Sequence, residues 1–153
     1  DAVQFTPTTL HTFLSACLPA ADMRGIEVKS VEDGSVELSL RLAADQLSVD
    51  LPRGSGQTVV SGPLMLGLGD TAMYAAVHSA LGPDVFAVIL SINTSFFRLA
   101  TPITLVAKAK ILRKTRAVCF AEALLFSEGT AEPCAHVTAT YAIKHLAAER
   151  TDG

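Results

Sequence analysis

The sequence predicts an α+β fold in which one long antiparallel sheet wraps around a central apolar helix. Three observations carry this. Residues 62–81 read as a helix that is apolar on nearly every side, and a helix of that kind is buried all round. Strand-like segments follow at residues 85–97, 103–113, 117–126 and 135–143. Their connections are short enough for antiparallel neighbours. Two further strands precede the helix, so a single sheet can enclose it.

The elements follow in order. Residues 8–21 predict a short helix, with Thr8 or Thr9 as cap and Leu10, Phe13, Leu14, Cys17 and Leu18 at helical spacing. Pro19 ends it. Residues 26–31 read as a strand, and Glu32-Asp33-Gly34 as a hairpin turn. Val36, Leu38, Leu40 and Leu42 then alternate with Ser35, Glu37, Ser39 and Arg41, the pattern of a half-buried strand. Residues 45–57 carry Pro52, Gly54, Ser55 and Gly56 and predict a loop. Loops of that length are often functional. Ser61 or Gly62 caps the central helix, Pro63 suits its first turn, and Gly82-Pro83 stops it. Gly67, Gly69, Ala72, Ala75 and Ala76 would let other backbones come close. Later strands alternate through Leu105, Ala107, Ala109 and Ile111, and through Val137, Ala139 and Tyr141. The turns are expected at residues 99–102, 113–116 and 127–133. Without a repeat or linker, residues 1–153 read as one domain, with a core over about 24–145.

Composition narrows the function. Hydrophobic residues make up 50% of the 153 and charged residues 18%. A chain so apolar can build a core, and it has little charge with which to cover a monomer. The net charge of -3 gives no support for nucleic-acid binding. No apolar run is long and unbroken enough for a membrane span. Cys17, Cys119 and Cys134 are odd in number and widely spaced, which does not suit a disulfide framework. Cys119 and Cys134 read as small sheet or core residues, and a reducing cytoplasm fits best. No His, Cys or carboxylate set has metal-ligand spacing, so no metal is expected. The chain starts at Asp1 rather than Met, which leaves a processed leader open.

Asp70 is the chemical oddity, a lone carboxylate among Leu66, Gly67, Met73 and Tyr74. A buried carboxylate is expensive and must shift its pKa or find partners. The plain alternatives are an exposed stripe with Thr71 and Ser79, or bonds to loop amides. Ser91, Asn93 and Ser95 alternate, on the face that earlier carries Val85, Ala87 and Ile89. That change from apolar to polar suits a wet cavity or subunit seam, or a strand running out to solvent. Arg98, Lys108, Lys110, Arg113, Lys114 and Arg116 form a local basic excess. It suits phosphate groups, or simply a solvated hairpin tip. His78 lies two turns beyond Asp70 and suits a core or interface; His136 and His145 read as surface residues.

Three motifs sharpen this. They are Arg53-Gly54-Ser55-Gly56-Gln57-Thr58-Val59-Val60-Ser61-Gly62-Pro63, then Leu68-Gly69-Asp70, then Asn93-Thr94-Ser95-Phe96-Phe97-Arg98. In this order and spacing the chain resembles the hotdog-fold thioesterases of the phenylacetate-degradation (PaaI-type) branch. The resemblance covers roughly residues 24–145. It implies hydrolysis of an acyl-CoA or related thioester, with no cofactor beyond the coenzyme A carried by the substrate. It implies Asp70 as general base or nucleophile and the Gly62 backbone N–H as oxyanion donor. Ser55, Ser61, Met73, Tyr74, Asn93 and Ser95 would face substrate, and Arg98, Arg113, Lys114 and Arg116 would meet the phosphates. Core packing accounts equally well for Met73, Tyr74, Phe96 and Phe97. The family pairs sheets edge to edge, so a homodimer or homotetramer is implied, with Gly62 of one subunit facing Asp70 of the other.

The chain departs from the family in places. His-Gly-Gly is replaced by Ser61-Gly62-Pro63, an upstream Asn by Ser55, and an assisting Ser or Thr by Ile89. These departures keep two other functions in view: a non-catalytic acyl-ligand binder and a hotdog dehydratase or hydratase.

Overall fold

Helix α1 (Pro7–Cys17) begins slightly earlier than its periodicity predicts. Thr6 and Thr9 explain this: the Thr9 N–H donates to Thr6 Oγ1 at 3.2 Å, and the Thr6 N–H to Thr9 Oγ1 at 2.8 Å. The computed structural model describes residues 5–49, 53–100 and 104–146. After Leu18 the chain makes a separate short helix, α2 (Ala20–Met23), instead of continuing α1. Leu10 and Leu14 are buried as their spacing implies, while Cys17 is exposed.

Strands β1 (Ile26–Glu32) and β2 (Ser35–Arg41) form the expected hairpin. The loop expected at residues 45–57 contains structure. A 3-10 turn (Ala44–Gln46) leads into β3 (Leu47–Val49), which pairs with β4 (Thr58–Val60), Leu47 opposite Val60. Three-residue strands are too short to leave a period in the sequence. Pro52 and residues 101–102 of an expected turn lie outside the described residues.

Helix α3 (Gly62–Leu81) is the central helix. Ser61 Oγ accepts the Leu64 N–H at 3.3 Å, and Pro63 sits in the first turn. Gly82 stops the helix at φ 81°, where its N–H returns to the His78 carbonyl at 2.8 Å. Four strands follow: β5 (Val85–Phe96), β6 (Thr104–Lys114), β7 (Val118–Ser127) and β8 (Ala135–His145).

These strands build a six-stranded antiparallel sheet in the order β1-β2-β6-β7-β8-β5. Chain order therefore misleads at one point: β5 pairs with β8, and β6 pairs with β2 and β7. Residues 97–103 can reach about 23 Å, whereas three strand spacings need only about 14 Å. A short link thus permits a hairpin without requiring one.

One sheet face packs on α3 through Val36, Leu38 and Leu40, Leu105, Ala107 and Ala109, Cys119, Ala121 and Ala123, and Val137 and Tyr141, all buried. The alanines in the middle let the helix sit close. The tightest approach is at Gly69, where an added Cβ would lie 2.7 Å from Val137 Cγ2. Ser79 ties the β1–β2 turn to the helix, accepting the Gly34 N–H at 3.0 Å and donating to the Ala76 carbonyl at 2.7 Å. Helix α1 covers the C-terminal half of α3, with the Phe13 ring 4.7 Å from the His78 ring. No described helix is long and apolar enough to cross a membrane.

Candidate active site

Asp70 is the only Asp, Glu, Lys or Arg in α3. It is half-buried, in the part of α3 that α1 does not cover. Thr71 and Ser79 are buried, so the exposed polar stripe considered above does not exist. Nor does Asp70 bond to loop amides among the described residues. Its carboxylate partner is the Tyr141 hydroxyl of β8, which donates to Oδ1 at 2.7 Å.

On its other side Asp70 opens into a cleft of about 250 Å³. Ile26, Leu40, Leu64 and Leu68 give it apolar walls, and Asp22, Arg24 and Gln46 supply the polar part of its lining. Arg24 is held by Asp45, at 3.1 Å. Gly67, one turn before Asp70, lines the same cleft, and an added Cβ there would meet nothing within 4 Å. The bare backbone leaves room beside the carboxylate.

Gly62 opens the helix, so its N–H has no intrahelical acceptor, and the positive end of the helix dipole lies there. The Phe96 ring covers it, with Cζ 3.4 Å from where a Cβ would stand. Gly62 and Asp70 lie eight residues apart on one straight helix, a separation of about 12 Å along its axis.

A half-buried carboxylate over a cleft of mixed lining, on a helix packed against an antiparallel sheet, can serve acyl transfer. Comparison with known proteins agrees. The sequence profile of the Thioesterase superfamily matches residues 57–134, just over half of the chain. The chain belongs to this superfamily. A solved protein of Silicibacter sp. TM1040, described as a candidate thioesterase, is 28% identical, with 94% of each chain covered and a TM-score of 0.80. The phenylacetic acid degradation protein PaaI of Thermus thermophilus, solved as a mutant, is 24% identical over 82% of this chain and 98% of its own, at a TM-score of 0.66. A hypothetical thioesterase of Streptococcus pneumoniae TIGR4, solved with coenzyme A, shares the fold at 14% identity, a TM-score of 0.70 and coverage of 90% and 96%. No curated protein sequence matches. The sheet wrapped on one long helix is the hotdog arrangement of these thioesterases.

The other expected site residues of this superfamily member are scattered. Ser61 is the helix cap. Ser55 is exposed, and its Oγ accepts the Gln57 N–H at 3.1 Å. Met73 is fully buried in the core. Tyr74 turns to α1 and stacks edge-on with His78 at 4.6 Å. Burial, with a smaller contribution from Cys17, pushes its phenol up to about 12. Neither lines the cleft at Asp70.

Ser91, Asn93 and Ser95 are a correction. A bulge at Leu90 breaks the β5–β8 register: Ile89 stands opposite Tyr141, but Ser91 stands opposite Thr140. The extra residue flips the parity. Val85, Ala87 and Ile89 face α3, while Ser91, Asn93 and Ser95 face outward with Thr140, Thr138 and His136. The face of Val85, Ala87 and Ile89 continues through Ile92, Thr94 and Phe96, and it is the outer face that changes, from Phe86 and Val88 to Ser91, Asn93 and Ser95. Ser91 and Asn93 line a separate outer cavity of about 230 Å³ with Leu112 and Phe120.

The basic residues also separate. Arg98 forms an ion pair with Glu132 beside the start of β8, whereas Arg113, Lys114 and Arg116 lie at the β6–β7 tip near the end of β8. Lys108 lies over the Phe126 ring at 5.2 Å, and Lys110 pairs with Glu122 at 3.4 Å. His136 bonds Glu122 at 2.9 Å and holds that carboxyl below its usual range. Tyr141 is the site residue that sequence reasoning missed. One signal existed: a buried phenol among Ala135, Val137 and Ala139 needs a hydrogen-bond partner.

Proposed function

We propose that this thioesterase-superfamily member hydrolyses an acyl-CoA or related acyl thioester, as a PaaI-type enzyme working as at least a homodimer. Asp70 acts as general base or nucleophile, and the Gly62 N–H of a second copy receives the developing oxyanion. The observation that carries the reading is Asp70 itself, the single carboxylate of the central helix, opening on an apolar-walled cleft. One carboxylate is enough, because a thiol leaving group of pKa about 8.5 asks little of a general acid. The coenzyme A bound to the Streptococcus pneumoniae neighbour supports the substrate class.

Spacing supports the second copy. A reacting carbonyl must lie about 3 Å from both nucleophile and oxyanion donor, and one helix holds the two about 12 Å apart. The sheet edges suggest how copies meet. Edge strand β1 carries Glu27, Lys29 and Glu32 and is bulged between Val28 and Ser30. Edge strand β5 has no charge in its 12 residues and exposes Phe86, Val88, Leu90 and Phe96. An unguarded apolar edge invites pairing, and β5 leads directly to the Phe96 that covers Gly62.

A thiol-release screen over short, long and aryl acyl-CoAs tests the reading, together with the mass in solution. Release by a dimer or tetramer is expected. A monomer at micromolar concentration, or acyl-CoA binding by calorimetry without release, would reject it in favour of a non-catalytic binder.

A further inference from the structure

Tyr141 is the largest of the fully buried side chains, at 1% exposure. Its hydroxyl lies 2.7 Å from Asp70 Oδ1 and 3.2 Å from the Asp70 carbonyl. A phenol has one proton to give, and both distance and charge send it to the carboxylate. Among the described residues none bonds Oδ2. Ile89, opposite Tyr141 on β5, offers no polar group. The frame around the contact is tight. Val137, on the same face of β8 as Tyr141, touches α3 at Gly69, the residue next to Asp70. Strand and helix therefore have little freedom to slide where the bond forms. Burial above all, and then the Asp70 charge, pushes the phenol pKa up, so the hydroxyl stays a donor throughout the working pH range.

Resting on the thioesterase reading above, we propose that Tyr141 is a positioning residue. It holds Oδ1 and so fixes the carboxylate rotamer, leaving Oδ2 as the oxygen that meets the substrate carbonyl or the attacking water. This division holds for either role of Asp70, because both need one oxygen aimed and one restrained. Misaiming a reacting group costs rate more than it costs binding.

Tyr141→Phe keeps the ring and removes the donor. The expected result is a fall in kcat of about tenfold with KM within about twofold of wild type. In an Asp70→Asn background the same substitution should cost nothing further, since the two residues act as a unit. Unchanged kcat in the single variant, or additive losses in the double variant, overturns the proposal. A second readout does not depend on turnover or on the folding of Tyr141→Phe. The chain has two tyrosines and no tryptophan, so in a Tyr74→Phe background all tyrosine emission comes from Tyr141. A carboxylate accepting from an excited phenol quenches it, and Asp70→Asn should brighten the emission. Unaltered emission also overturns the proposal. A wild type inactive on every thioester would instead reject the thioesterase reading, while the emission change still reported on the contact.

Discussion

Asp70 and His78 sit on the same helix, two turns apart, each a titratable group among apolar neighbours. In the sequence they pose the same puzzle. The structure resolves them in opposite ways. His78 is 1% exposed beneath α1, between the rings of Phe13 and Tyr74, with Nδ1 on the Gly82 carbonyl at 2.9 Å and Nε2 without a partner among the described residues. Asp70 has one flank on Tyr141 and the other on an open cleft. The difference comes from a third element. Helix α1 reaches only the C-terminal half of α3, so the same helix face is core at one end and site at the other.

The largest expected effect breaks the pair apart. Asp70→Asn should lower thiol release by about 10²- to 10⁴-fold and barely move the melting temperature, because Asn keeps an oxygen for Tyr141. His78→Gln should do the reverse, costing about 1–3 kcal/mol of stability with turnover retained. Parallel assays and thermal melts check both. A His78 variant that folds well but loses turnover would erase the distinction.

Next comes Gly69, on the side of α3 that the sheet covers. Gly69→Ala pushes a methyl into Val137 and should cost about 1–3 kcal/mol in denaturant unfolding.

Acid sharpens the comparison further. Burial lowers the His78 pKa from 6.5, and the Gly82 carbonyl offsets this only in part. The unfolded chain takes up that proton near pH 6.5, and the folded chain only at lower pH. Stability from this group is therefore complete above about pH 6.5 and declines as pH falls toward the folded value, by about 1.4 kcal/mol per unit of separation. Melts of wild type and His78→Gln from about pH 7.5 to about pH 5 should show a shallower decline in the variant.

The smallest effect is on the open side. Gly67→Ala meets only space and should gain up to about 1 kcal/mol from helix propensity. It should also narrow the cleft beside Asp70, seen as a raised KM for the bulkiest acyl groups.

Much of this was legible in the sequence. The α3 cap at Ser61, its stop at Gly82 and the alternation of β6 and β8 depend on neighbours within a few residues, and they stand as read. Asp70 was legible too, because charge in an apolar helix is a local anomaly. Ser91, Asn93 and Ser95 were misread because the bulge at Leu90 has no local signature; it exists only against β8. Tyr74 was set beside Asp70 by helical adjacency, yet α1 claims that side of the helix for packing.

By itself, then, the sequence determined the buried central helix, the strands that enclose it and a carboxylate that has to be accounted for. Period, caps and composition act over short separations, so they survive without a partner in view. Tertiary structure alone decided that β8 lies between β7 and β5, which face Asn93 looks out on, and that a phenol 71 residues away holds Asp70. Those outcomes follow from the order of strands in the sheet, and no local pattern encodes that order.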